Sequence, residues 1–101
     1  MSDRSPGSDP GLLLLISLSG GPKHGHAMLL DVDAFAGIRL GPGTLYGALS
    51  RLEEDGLVEA LPVEGRRRPY RLTDAGLAAL RGRLTGLNAA VSIGLARVGN
   101  R

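Results

Sequence analysis

Three consecutive arginines, Arg66, Arg67 and Arg68, follow a Glu64-Gly65 turn. Arginine carries a rigid fork of donors that pairs with two phosphate oxygens at once and fits a narrow minor groove. The bland alternative is a loop kept soluble by its charge. A second polar set lies upstream, in Gly43, Thr44, Tyr46, Gly47, Ser50 and Arg51. It is small, hydroxyl-bearing or cationic, and the acidic Glu53, Glu54 and Asp55 come only at its C-terminal end. A negative C-terminal end opposes the helix macrodipole. It makes sense if the N-terminal half approaches a polyanion while the other end stays away. An ordinary polar helix face accounts for the same residues equally well.

Catalytic chemistry finds little support. His24 and His26 lie two apart at a helix start, with no cysteine anywhere in the chain. A metal site with Asp31 or Asp33 is conceivable, but positions i and i+2 of a helix do not face together. Surface or capping roles suit these histidines better. There is no Ser/His/Asp order, phosphate loop or nucleotide fingerprint to defend. The chain is therefore read as a non-enzyme with no catalytic residue, metal site or cofactor. Without cysteine, disulfides and thiolate chemistry are excluded.

The elements that must position the two polar sets follow from local signals. Pro42 suits a first helical position, Gly41 can serve as N-cap, and Leu40 and Leu45 have the spacing of a hydrophobic staple. Leu45, Leu49 and Leu52 form one apolar stripe with Ala48 at its edge, and Gly56 is placed to end the helix in a left-handed conformation. Residues 1–9 read as a disordered polar tail. Asp9-Pro10 starts a short helix to about Leu18. That helix is apolar nearly all round and must be covered on two sides, one of which could be another subunit. Ser19-Gly20-Gly21-Pro22 is a turn, and a second helix runs from His24 to about Phe35. After Gly56, Leu57–Val63 and Arg68–Leu72 read as a hairpin. Thr73 then caps a long final helix, with Asp74 in its first turn.

The fold class expected is mainly α with a small β-hairpin, a winged helix-turn-helix plus a C-terminal dimerisation helix. In such a fold the third helix enters the DNA major groove and the hairpin turn becomes the wing. The 101 residues suffice for one domain with a modest core, and a 43% hydrophobic content is too high for a disordered chain. The net charge of +2 is mild but its positive part is clustered. The apolar run Leu12–Ile16 is too short to span a membrane, no secretory signal is expected and a cytoplasmic location is the default.

Three stretches carry a family resemblance: LSGGPKHGHAM, IRLGPGTLYGALSRLEEDGLVE and GRRRPYRLTDAGLAAL. Together they resemble the PadR family of bacterial transcription regulators, over about Leu12 to Leu84. The resemblance implies a homodimeric DNA-binding repressor with Thr44 and Tyr46 on its recognition helix and the basic residues after Gly65 at its wing tip. Two positions depart from the family pattern. His26 stands where an aromatic is usual, which affects one packing or phosphate contact. Gly47 stands where proline is usual and should loosen the helix, since interior glycine costs roughly 1 kcal/mol relative to alanine.

In the final helix Leu77, Leu80, Leu84, Leu87, Val91 and Val98 follow alternating steps of three and four, with Gly94 filling one gap. That is a heptad seam, which a dimer needs and a lone domain of this size does not. Gly76, Gly82 and Gly86 weaken the helix but permit close backbone approach. Packing of the seam on its own domain is the alternative. Longer family members add a larger helical domain, so this chain reads as a short form.

The assignment is residues 10–73 as the DNA-binding domain and 74–101 as the dimerisation helix. DNA contact is assigned to His24, Gly43, Thr44, Tyr46, Ser50, Arg51, Arg66, Arg67 and Arg68. The dimer contact is assigned to Leu12, Leu15, Leu77, Leu80, Leu84, Leu87 and Val91. The partners expected are a double-stranded DNA operator, a second copy of the chain and a small-molecule effector; no membrane partner is expected. With no Trp in the chain, an effector pocket would be an apolar cavity between helices. A winged-helix protein–protein module without DNA binding is the competing function.

Overall fold

In the computed structural model, which describes residues 9–100, the element order is α1 (Pro10–Ser19), β1 (Lys23–His24), α2 (Gly25–Ala36), α3 (Pro42–Glu54), β2 (Val58–Ala60), β3 (Pro69–Leu72) and α4 (Asp74–Gly99). The tail expected over residues 1–9 lies outside the described residues except for Asp9. The Asp9 carboxylate accepts the Leu12 amide at 3.2 Å and caps α1.

α1 is the centre of the core. Leu12, Leu13, Leu14, Leu15 and Leu18 are each no more than 3% exposed. The helix touches α2, α3, α4 and β3, so its cover comes from within the chain. Within the chain, only Pro10, Gly11 and Ile16 of this helix stay half-buried and Ser19 exposed. Burying each leucine contributes roughly 1.5–3 kcal/mol. Among the described residues the one buried polar side chain, Ser17, donates to Asp31 at 2.8 Å, which satisfies its hydroxyl inside this apolar helix. Lys23 folds back to donate to the Ser17 carbonyl and so occupies one of the orphan acceptors at the end of α1.

Lys23 and His24 form a strand where a helix start was expected to follow the turn directly. They pair antiparallel with β3, Lys23 opposite Tyr70 and His24 opposite Pro69. On the other side β3 pairs with β2, Val58 opposite Leu72 and Ala60 opposite Tyr70. The sheet is thus three-stranded, in the order β1-β3-β2.

α3 ends as its sequence implies. Gly56 is left-handed, with φ 74°. The Gly56 amide donates to Glu53 and the Leu57 amide to Leu52, the double closure of a Schellman motif. The chain then enters β2. The Thr73 hydroxyl accepts from the Gly76 amide at 3.0 Å and starts α4. Gly76 is required there for space: a Cβ would stand 2.0 Å from the Leu57 carbonyl oxygen. α4 lies against β3 only at its start and then runs on, contributing to a molecule 56 Å long and 24–27 Å across. Among the described residues, no helix is long and apolar enough to cross a membrane.

Candidate nucleic-acid interface

α3 presents two chemically different sides. Leu45, Ala48, Leu49 and Leu52 are buried against α1 and its neighbours. Gly43, Thr44, Tyr46, Gly47, Ser50 and Arg51 are exposed. The apolar stripe thus fixes which way the polar set points, and all six polar positions share the solvent side.

The wing is built by the hairpin connection. Glu64 and Arg67 exchange backbone hydrogen bonds of 2.7 and 3.0 Å around Gly65 and Arg66. Gly65 has φ 62° and no non-glycine described residue has a positive φ, which makes this a type II′ turn. Arg66 sits at its tip with no side-chain hydrogen bond or ion pair among the described residues. Arg68 donates to the Leu61 carbonyl at 2.9 Å, across the hairpin. Arg67 reaches His24, its Nη1 lying 3.0 Å from Nε2. The three arginines, expected to act alike, therefore differ: Arg68 braces the wing, Arg67 ties it to the start of α2, and Arg66 is unengaged.

Between wing and α3 lies a cleft of about 240 Å³ lined by His24, Gly25, His26, Tyr46, Tyr70 and the three wing arginines. Tyr46 is 52% exposed, and its ring leans over Gly25. A Cβ on Gly25 would stand 2.7 Å from the Tyr46 hydroxyl, so glycine is what lets α2 and α3 come this close. Burial pushes the Tyr70 hydroxyl above its ordinary range, the charge of Glu53 adds to this, and the Arg68 guanidinium opposes it. The acidic end of α3, Glu53 to Asp55, contributes no lining residue to the cleft.

His24 is placed differently from the simple DNA contact first assigned to it. Its Nδ1 faces the Ala27 amide at 3.3 Å as the N-cap of α2, and its Nε2 faces Arg67. Each ring nitrogen faces a donor within the chain, and the neutral ring can accept from one of the two. Among the described residues no group of three or more His, Asp or Glu is assembled that could hold a metal ion. The link from His24 to the wing spans 43 residues and had no signal in the sequence.

The residues assigned to a dimer contact divide. Leu12, Leu15 and Leu80 are 1–3% exposed and belong to the chain's own core. These three side chains support that core rather than line its surface. Leu87 is half-buried against that core. Leu77 and Leu84 are each 41% exposed, Val91 55% and Val98 68%. These four, spaced by sevens, form one row along α4. Near its foot, Arg83 pairs with Asp9 at 2.5 Å and links α4 to the cap of α1. Burial raises the Asp9 carboxyl, but the hydrogen bonds from Arg83 and the Leu12 amide outweigh it and hold the group below its usual range.

The profile of the PadR-like family of transcriptional regulators matches residues 12–82. The chain belongs to this family. The match runs from the third residue of α1 through β3 into the first part of α4. A transcriptional regulator of Mycobacterium tuberculosis is 60% identical over 47 residues, covering 44% of this chain and 44% of that protein. A transcriptional activator of Halobacterium salinarum is 39% identical over 67 residues, covering 66% of this chain and 34% of the activator. The chain spans only 20–44% of the length of the curated relatives it matches. Among solved structures, a PadR family transcriptional regulator from Eggerthella lenta is 31% identical, with a TM-score of 0.67, covering 87% of this chain and 81% of that one. The mainly helical architecture with a small antiparallel sheet is thus the winged-helix fold of the PadR family.

Proposed function

We propose that this PadR-family chain is a sequence-specific DNA-binding protein that acts as a homodimeric repressor. The observation that carries the reading is the exposed face of α3 beside the arginine wing, with the acidic end of α3 away from the cleft. In this reading the N-terminal half of α3 enters the major groove, as helix-turn-helix proteins present that end to base edges. Thr44 offers a methyl to thymine or a hydroxyl to a base or phosphate, and Tyr46 positions the helix through a phosphate oxygen. Ser50 and Arg51 extend the contact, and Gly43 and Gly47 allow close approach without reading. Arg66 leads the wing toward phosphates or the minor groove.

The dimer is supported by the row Leu77, Leu84, Val91 and Val98, whose apolar surface stays exposed among the described residues. Pairing two such rows would set two recognition helices about one DNA helical turn apart. Residues 10–73 then act as the DNA-binding unit and α4 as the dimer element. A small-molecule effector would release DNA by shifting that spacing. A mobility-shift assay on DNA upstream of the chain's own coding sequence tests the reading, and transcription from the same DNA tests its direction. Retention with reduced transcription supports a repressor; retention with increased transcription makes it an activator. Failure to retain any duplex points to a winged-helix protein–protein module.

A further inference from the structure

The exposed side of α4 is wider than one row of sevens. One turn on from Leu77, Leu84 and Val91 stand Arg81, Asn88 and Leu95, all exposed. With Val98 they make a seam in steps of four and three, the spacing at which one helix packs along another. The seam is graded along its length. Its foot carries the cation Arg81 and its middle the amide Asn88, while its far end holds only Val91, Leu95 and Val98, which are 55–68% exposed. Beside the foot, between the end of α1, β3 and the start of α4, lies an open groove of about 300 Å³. Leu18, Pro22 and Leu72 line it, and Leu77 belongs to both groove and seam. An apolar helix end and an apolar groove thus stand at opposite ends of one helix. About 30 Å of helix separates Leu77 from Val98, so the two cannot meet within one copy.

We propose that the end of α4 docks in this groove on a second copy, so that the two helices of the homodimer run antiparallel. This rests on the homodimer reading above and gives it a direction. Reversal brings the partner's Leu95 and the partner's Val98 to Leu77 and the groove, and the partner's Val91 to Leu84. Asn88, near the middle, meets its own copy close to the two-fold axis, where each amide offers both donor and acceptor. Arg81 then faces a stretch of the partner, residues 84–96, that carries no charge. In a parallel pair Arg81 would face the partner's Arg81, like charge against like, and the helix dipoles would lie with like ends together. Both grooves would stay open. Antiparallel pairing also sets the feet of the two helices about 30 Å apart, close to the roughly 34 Å between DNA half-sites one turn apart.

Distances between spin labels on the full chain test the direction. The chain has no cysteine, so a label attaches only where one is introduced. Thr85, near the middle of α4, and Asn100, at its end, are both exposed. With helix axes about 10 Å apart, Thr85→Cys labels should lie within about 20 Å of each other in either direction. Asn100→Cys labels should lie about 30–45 Å apart in the antiparallel pair and within about 20 Å in a parallel one. Ser19 lines the groove and is exposed. A chain labelled at both Ser19→Cys and Asn100→Cys should add a distance below about 20 Å that neither single variant shows. A short Asn100 distance, a long Thr85 distance, or absence of the added distance overturns the inference and leaves a homodimer of another geometry. No coupling between labels at any position, with a single-chain mass in sedimentation, overturns the homodimer reading and the inference with it.

Discussion

α1 and α4 are both aliphatic helices, yet they dispose of their apolar residues in opposite ways. α1 is ten residues long and buries five leucines among four neighbouring elements. α4 is 26 residues long, and only Gly76 and Leu80 are buried in it. Beyond Leu80 its side chains are exposed apart from the half-buried Leu87. The pattern of leucines alone does not separate a core helix from an interface helix; what separates them is whether neighbours arrive on every side. α1 is short enough for α2, α3, α4 and β3 to surround it. α4 outruns the body that packs on its first turns, and its row of Leu77, Leu84, Val91 and Val98 stays exposed.

This contrast can be broken most forcefully in α1. Leu14 is fully buried, and Leu14→Ala should cost about 2–5 kcal/mol in chemical denaturation, through lost transfer energy and the cavity left behind. In α4 the same kind of change should act on assembly instead. Leu84→Asp places a charge on the row without entering the core. It should give monomers by analytical ultracentrifugation at micromolar concentration, with the helical signal of the monomer retained, and should weaken DNA binding by uncoupling the half-sites. A wild-type chain that is already monomeric under those conditions contradicts the dimer.

Smaller effects sharpen the comparison between α3 and the wing. Tyr46→Phe should cost about 1 kcal/mol of DNA affinity if the hydroxyl makes one hydrogen bond, with thermal stability unchanged. The Tyr46 hydroxyl has no hydrogen-bond partner among the described residues, so the fold does not depend on it. Should the variant lose stability and keep its affinity, Tyr46 is a packing residue. Arg66→Gln should weaken binding to all sequences alike and reduce the log–log salt slope by about one. Arg68→Gln should instead loosen the wing, since its partner is the Leu61 carbonyl.

The smallest effect belongs to the Asp9–Arg83 pair, the tie between the two helices compared above. The Asp9 carboxyl is held below its ordinary value of 3.8. Its contribution is therefore complete above that value and lost as pH falls through the lower folded-state value. The pair is partly exposed, so the contribution is below about 1 kcal/mol. Arg83→Ala should remove this acid-side loss from a stability-versus-pH curve, and an unchanged curve contradicts it.

The legible parts of the fold are those set by local signals. Pro42, the Leu45-Leu49-Leu52 stripe and Gly56 specify α3 and its closure, and that stripe orients the polar set of the site. Thr73 and Asp9 announce their helices as caps. β1 was not legible because Lys23 and His24 carry no strand pattern; they become a strand only by lying beside Tyr70 and Pro69. The division among the three arginines was hidden for the same reason, since Arg67 and Arg68 find partners that the hairpin and β1 bring to them. Leu80 reads as one position of a seam, and Leu12 and Leu15 as part of a helix apolar all round; that all three lie in the chain's own core is visible only in three dimensions.

The central claim is that α3 and the wing read double-stranded DNA. Fluorescence-anisotropy titration of the wild-type chain with the duplex from upstream of its own coding sequence, against an unrelated duplex at the same salt, tests it most directly. The account predicts tighter binding to the upstream duplex, with affinity for both falling steeply as salt rises. Equal affinity for the two duplexes, or binding indifferent to salt, would contradict it.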